Sequence, residues 1–202
     1  MRELFILLLV FMFGSNVLGN RAYVVSGINN ELQLKYNTDL NIGGNIGLRI
    51  NYKKYSLFEF ETSIFYSRLA PSYDLNLSKK RFLNSKLSFA GISLTPILKK
   101  KFGKKYDFFF EGGLNLALNL FSKIQGEAIV YRPNSVELLY QQVNSSADLK
   151  LLNFGLYLGT KYNTSFSGKE LGLSPYMVLG LLNFANYDET IYQNQIGIKL
   201  FF

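Results

Sequence analysis

The last ten residues, QNQIGIKLFF, alternate without a break: Ile196, Ile198, Leu200 and Phe202 fall on one face, and Gln195, Gly197 and Lys199 on the other. Such a strand, stopping on an aromatic, fits the closing strand of an outer-membrane β-barrel, which must pair with the first strand while showing apolar side chains to lipid. A terminal Phe is also the ending that outer-membrane assembly machinery usually reads, so that machinery is an expected partner during biogenesis. Soluble chains more often end in frayed, polar residues.

The period of two recurs along the chain. From Asn41 to Tyr52, residues Ile42, Gly44, Ile46, Leu48 and Ile50 share one face, and Gly43, Asn45, Gly47, Arg49 and Asn51 share the other. A tight Lys53-Lys54 turn leads to Phe58, Phe60, Thr62, Ile64 and Tyr66, backed by Glu59, Glu61, Ser63 and Ser67. A fourth strand carries Ile92, Leu94, Pro96 and Leu98, and Gly103 turns it into the strongest segment, with Phe108 to Leu120 outward at even positions and Asp107, Glu111, Asn115 and Asn119 inward. A sixth strand runs through Leu152, Phe154, Leu156, Leu158 and Tyr162, a seventh of undecided parity covers Tyr176 to Phe184, and a first covers Ala22 to Asn30. The expected fold is all-β, an eight-stranded antiparallel up-and-down transmembrane β-barrel. Short connections at Lys53 to Tyr55 and Gly103 to Lys105 would be periplasmic. The long ones, Glu31 to Leu40, Ala70 to Lys86 and Gln125 to Lys150, would be external, the last as a hairpin extending two strands.

The bulk numbers agree with a barrel. A mean hydropathy of +0.07 is far below that of a helical membrane protein, because half of each strand faces a polar interior. The 18 Phe and 14 Tyr suit rings at the water-lipid boundaries, a task that falls to them alone since there is no Trp. The net charge of +8 would raise nucleic-acid binding in a soluble protein. Here the basic residues fall mostly in expected connections, where they would meet lipid phosphates, so outer-membrane lipids and not nucleic acid are the expected partners.

Arg2, the apolar run Leu4 to Phe13 and Val17-Leu18-Gly19 read as a cleavable signal peptide over residues 1–19, leaving 20–202 as one barrel domain. The apolar run is shorter than the roughly 20 residues a spanning helix needs. Cleavage would leave an integral outer-membrane protein of a Gram-negative cell envelope, expected as a monomer.

The parities place Arg49, Lys99, Lys161 and Lys199 inward, together with Glu59, Glu61, Asp107 and Glu111. Hairpins centred at Lys54 and Gly103 would set Arg49 opposite Glu59, Lys99 opposite Asp107 and Thr95 opposite Glu111. Eight strands enclose just enough room for their own side chains, so these eight residues are expected to form a structural salt-bridge network that plugs the lumen. Paired carboxylates for acid-base work are the competing reading. With no His and no Cys, the usual nucleophile-base pairs and most transition-metal sites are missing. No enzyme activity, catalytic residue, metal or cofactor is therefore expected. Asp188 and Glu189 form only a weak calcium signal, and the Asn-x-Ser matches are not read as glycosylation sites.

Function would then lie in external loops that bind or support something, with Lys79, Lys80, Arg81, Tyr131, Arg132 and Tyr140 as a loop contact surface and an envelope protein as a partner. A narrow channel or small-molecule path is the first alternative. A soluble periplasmic lipid-binding barrel would need its apolar face turned inward.

From Leu87 onward the chain resembles the PorT-like outer-membrane β-barrel family. The resemblance rests on ISLTPILKKKFG followed by YDFFFEGGLNLAL, and on SPYMVLGLLNFANYDETIYQNQIGIKLFF, with a looser fit through YVVSGINN and NIGGNIGLRINY. It implies a barrel in the outer membrane, and one member type is linked to a protein-secretion apparatus. An accessory role in such an apparatus is thus a further alternative.

Overall fold

Strands that alternate apolar and polar side chains pair only with neighbours that keep the same faces, and a closed ring of them leaves no edge inside a bilayer. The computed structural model describes residues 21–32, 42–51, 57–69, 75–77, 80–103, 107–131, 138–166, 169–183 and 192–202. They form β1 (Arg21–Leu32), β2 (Ile42–Asn51), β3 (Phe58–Leu69), β4 (Leu75–Leu77), β5 (Lys80–Lys101), β6 (Phe108–Tyr131), β7 (Leu138–Ser145), β8 (Leu152–Phe166), β9 (Lys169–Gly180) and β10 (Asn194–Phe201).

Eight of these strands close a barrel in the order β1-β2-β3-β5-β6-β8-β9-β10, and β10 returns to β1. All pairings are antiparallel. The ring shuts through Val25↔Phe201 to Leu32↔Asn194. Arg21, where β1 begins, and Phe202 lie at one end of the cylinder, here termed the terminal end. At the opposite, far end, β5 and β6 outrun the ring and pair again at Arg81↔Ile129. There β4 adds to β5 and β7 to β6, giving a four-stranded sheet beyond the barrel rim.

The outer face is apolar. Ile28, Ile46, Leu98, Leu114, Ile196 and Ile198 are each more than 45 % exposed, an unbroken greasy surface that a soluble protein would not carry. The soluble lipid-binding alternative, which needs the opposite orientation, fails on this point. Pro96 sits in β5 at a gap in the ladder to β6, between the pairs Leu94↔Leu116 and Ile97↔Gly113, where its missing N–H breaks no bond.

Strand limits and registers differ from the sequence expectation. The first strand is longer than Ala22 to Asn30, and the seventh spanning strand is Lys169–Gly180, not Tyr176 to Phe184. Its parity is settled, with Gly172, Ser174, Tyr176 and Val178 inside. The ladder of β8 with β9 runs on to Phe166↔Lys169. Arg49 stands opposite Glu61, with Asn51 opposite Glu59, and Lys99 stands opposite Glu111. The expected partners were two and four residues away, because both connections are longer than tight turns. Since both shifts are even, Arg49, Glu59, Glu61, Lys99 and Glu111 keep their expected face.

The Lys53-Lys54 turn, residues 1–20, most of the Glu31 to Leu40 connection, Asp188 and Glu189 lie outside the described residues.

Candidate functional site

The barrel interior is stacked in three layers. Nearest the terminal end, β2 delivers Arg49, β3 delivers Glu59 and Glu61, and β6 delivers Glu111; all four are at most 4 % exposed. The Arg49 guanidinium donates through Nε and Nη2 to Glu61 Oε2 at 2.9 and 2.6 Å, and through Nη1 to Glu111 Oε1 at 2.6 Å. Glu59 Oε2 is 3.3 Å from Nη1. One planar cation thereby ties three strands, a use of the fork that Lys lacks the donors to reproduce.

Three lysines complete the layer. Lys99 of β5 donates to Glu59 Oε1 at 2.6 Å, Lys199 of β10 to Glu61 Oε1 at 2.6 Å, and Lys161 of β8 stands 3.7 Å from Glu59 Oε1. Aromatic faces cover the remaining cation surface. Phe201 lies under Arg49 and Lys161, at 4.4 and 4.5 Å from its ring centre, while Tyr176 lies 4.1 Å from Lys199 Nζ. Tyr157 stacks on Tyr176 and donates its hydroxyl to Glu111 Oε2 at 3.0 Å.

The middle layer is polar and uncharged apart from Lys199. Ser63 and Ser93 share a hydrogen bond of 2.8 Å, Asn115 donates to Thr95 at 2.9 Å, and Gln195 donates to Ser67 at 3.2 Å. Ser63, Ser93, Asn115 and Gln195 line a cavity of about 10 Å³, on whose wall Asn45 Oδ1 has no partner among the described residues. A space of that size accepts one water and no larger ligand.

Toward the far end the lumen turns apolar. Phe65, Leu69, Leu87, Phe89, Ala117, Ile124 and Ala147 pack together, with Phe65 meeting Phe89 edge to face at 6.4 Å. Ala147 does not come from the wall. It is carried in by the segment 146–151 between β7 and β8, which is held by Ser122 Oγ donating to Ala147 O at 2.6 Å and Asn119 Nδ2 donating to Lys150 O at 2.9 Å.

Seven of the eight residues expected inside thus meet in one layer. Asp107 does not. It lies at the exposed rim beyond the β5–β6 hairpin, paired with Lys101 at 2.5 Å, so four interior cations face three carboxylates among the described residues. Thr95 likewise pairs with Asn115, not Glu111. Tyr157 and Phe201 were missed, although both share the parity of residues already read as inward. Of the expected contact surface, Lys80 and Arg81 open β5 instead of forming a loop, Tyr131 ends β6, and Tyr140 lies in β7 opposite Ile129. Lys79 and Arg132 lie outside the described residues.

Residues 8–186 match the family described as "Outer membrane protein beta-barrel domain". The chain belongs to that outer-membrane barrel family. Among solved structures, this barrel is similar to Neisserial surface protein A, at 8 % identity and a TM-score of 0.51, with 91 % of this chain and 97 % of that one covered. Two structures of Ail, the attachment invasion locus protein of Yersinia pestis, also match, each at 10 % identity, with TM-scores of 0.43 and 0.45; they cover 90 and 91 % of this chain and 94 and 95 % of theirs. No curated protein matches. Family and fold place this barrel in the outer membrane.

Proposed function

We propose that this outer-membrane barrel is a closed post, not a pore, and that its work in binding or envelope support is done by the sheet and connections at its far end. The observation that carries this reading is the packed interior: among the described residues, an ionic layer, a one-water cavity and an apolar layer follow one another along the lumen. A channel lined by asparagine, glycine and charge would need those groups unpaired, and here the carboxylates are each held by cations. The seven inward charges act as the structural plug, and no catalytic role is assigned to them.

The far end is external in this proposal, because the termini and the Gly103 hairpin share the opposite, periplasmic side. The strands β4 to β7 then stand above the membrane and bring Lys80, Arg81, Tyr131 and Tyr140 into one sheet. An envelope protein is the proposed partner of that surface. The finer PorT-like kinship, and with it an accessory role in secretion, rests on the same motif residues.

Recordings of the purified full chain in planar bilayers test the closed lumen, with no conductance expected and stepwise current refuting it. Capture of partners from intact envelopes, compared with a variant lacking residues 125–150, tests the far-end surface. Equal capture by both would sink that part alone.

A further inference from the structure

Three consecutive lysines in β5 take three different surroundings because a strand alternates its faces. Lys99 turns inward to Glu59, and Lys101 pairs with Asp107 at the rim. Lys100 points outward. It follows Leu94 and Leu98 on the apolar face, stands opposite Phe110 across the hairpin, and is exposed, with no acidic partner among the described residues.

Around it the same hairpin gathers rings. Phe102 is 65 % exposed, and its ring packs edge to face with Phe108 and Phe110 at centroid distances of 6.4 and 5.5 Å, while Phe108 and Phe110 meet at 5.5 Å. Gly103, at φ 78°, turns the chain there, and no described residue lies within 4 Å of where its side chain would begin. An exposed cation with no acidic partner among the described residues therefore stands at the hydrocarbon border, with an aromatic wall beside it.

We propose that Lys100 with Phe102, Phe108 and Phe110 forms a binding site for an anionic phospholipid of the leaflet at the terminal end. The ammonium donates to the phosphate oxygens, as a lysine at a membrane boundary does when its stem lies along apolar surface and its head reaches water. The rings flank the glycerol and upper acyl region, where aromatic side chains are favoured. Charge decides the occupant: a zwitterionic lipid offers the same phosphate with a neutralising amine attached. A lipopolysaccharide phosphate shares the chemistry, but the choice of phospholipid rests on the orientation proposed above, in which this end is periplasmic.

The chain has no Trp, so the variant F102W reports from this site alone. The full-length variant is reconstituted in phosphatidylcholine vesicles containing a minor share of phosphatidylglycerol, with one or the other lipid brominated in its acyl chains. Quenching by brominated phosphatidylglycerol is expected to indicate about a fivefold local enrichment over its bulk share, reduced at high salt. Adding Lys100→Gln should abolish the enrichment, Lys100→Arg should keep it, and Lys101→Gln should leave it unchanged because that charge is already paired. Equal quenching by the two lipids, or an enrichment that survives Lys100→Gln, overturns the site. Displacement of the brominated phospholipid by added lipopolysaccharide at an equal phosphate content overturns the choice of lipid.

Discussion

Arg49 Nη1 lies 2.6 Å from Glu111 Oε1, joining β2 to β6 through the barrel interior past β3 and β5. Both side chains are fully buried, so the contact is a cross-brace between walls that share no backbone hydrogen bond. Desolvating two ions is costly, and such a pair holds only while its partners are complete.

Removing the brace from one side should therefore be severe. Arg49→Met leaves Glu59, Glu61 and Glu111 short of their shared cation and is expected to cost about 3–5 kcal/mol in reversible urea unfolding in detergent or lipid. Lys101→Met, which breaks the exposed pair with Asp107, should stay within about 1 kcal/mol. Comparable losses in the two variants would contradict the buried network.

Tyr157→Phe keeps the ring that stacks on Tyr176 and removes only the hydroxyl. That oxygen donates to Glu111 and accepts from Arg49 Nη2 at 3.2 Å, so its loss should cost about 1.5–3 kcal/mol. Combined with Glu111→Gln, the two effects should fall well short of additive, and a double-mutant cycle in the same unfolding assay reads the shortfall.

Two glycines separate close approach from open space. A methyl group at Gly91 would run into the Leu118 carbonyl of the neighbouring strand, whereas at Gly112 it would meet only a Leu158 methyl at 4.0 Å. Gly91→Ala should destabilise by about 1–3 kcal/mol, and Gly112→Ala, on the lipid face, by less than about 0.5 kcal/mol. The temperature at which heat-modifiable gel mobility is lost ranks them.

The absence of native cysteine makes the far layer testable by labelling. A Phe89→Cys variant should react with a bulky maleimide at a rate near zero, since the site is buried beneath Ala147 and Leu149. Adding Ala147→Asp places an unpaired charge among apolar side chains, should lift the segment 146–151, and should raise the labelling rate at least tenfold. An unchanged rate would show that this segment does not cover the mouth.

How far the chain could be read follows from which quantities a period of two encodes. Parity is encoded directly, so Arg49, Glu59, Glu61, Lys99, Glu111, Lys161 and Lys199 are legible as inward from alternation alone. Register is not, because it depends on how many residues each connection uses: Lys99 faces Glu111 and not Asp107, and every pair on that hairpin moves with it. The apolar far layer was illegible for a different reason. Phe65, Leu69 and Leu87 occupy inward positions but are as greasy as the lipid face, so composition gives no sign of where the lumen changes character. Ala147 arrives from a connection, where no strand period applies.

Lys199 sits on the last strand of the ring, two residues from its end, yet its charge belongs to Glu61 of β3 on the far side of β1 and β2. Until the final strand zips against the first, Glu61 is short of its second counter-ion. The seam is thus keyed by electrostatics: a last strand docked two residues out of step would strand a buried carboxylate, and the assembled wall would register the mistake as a missing charge.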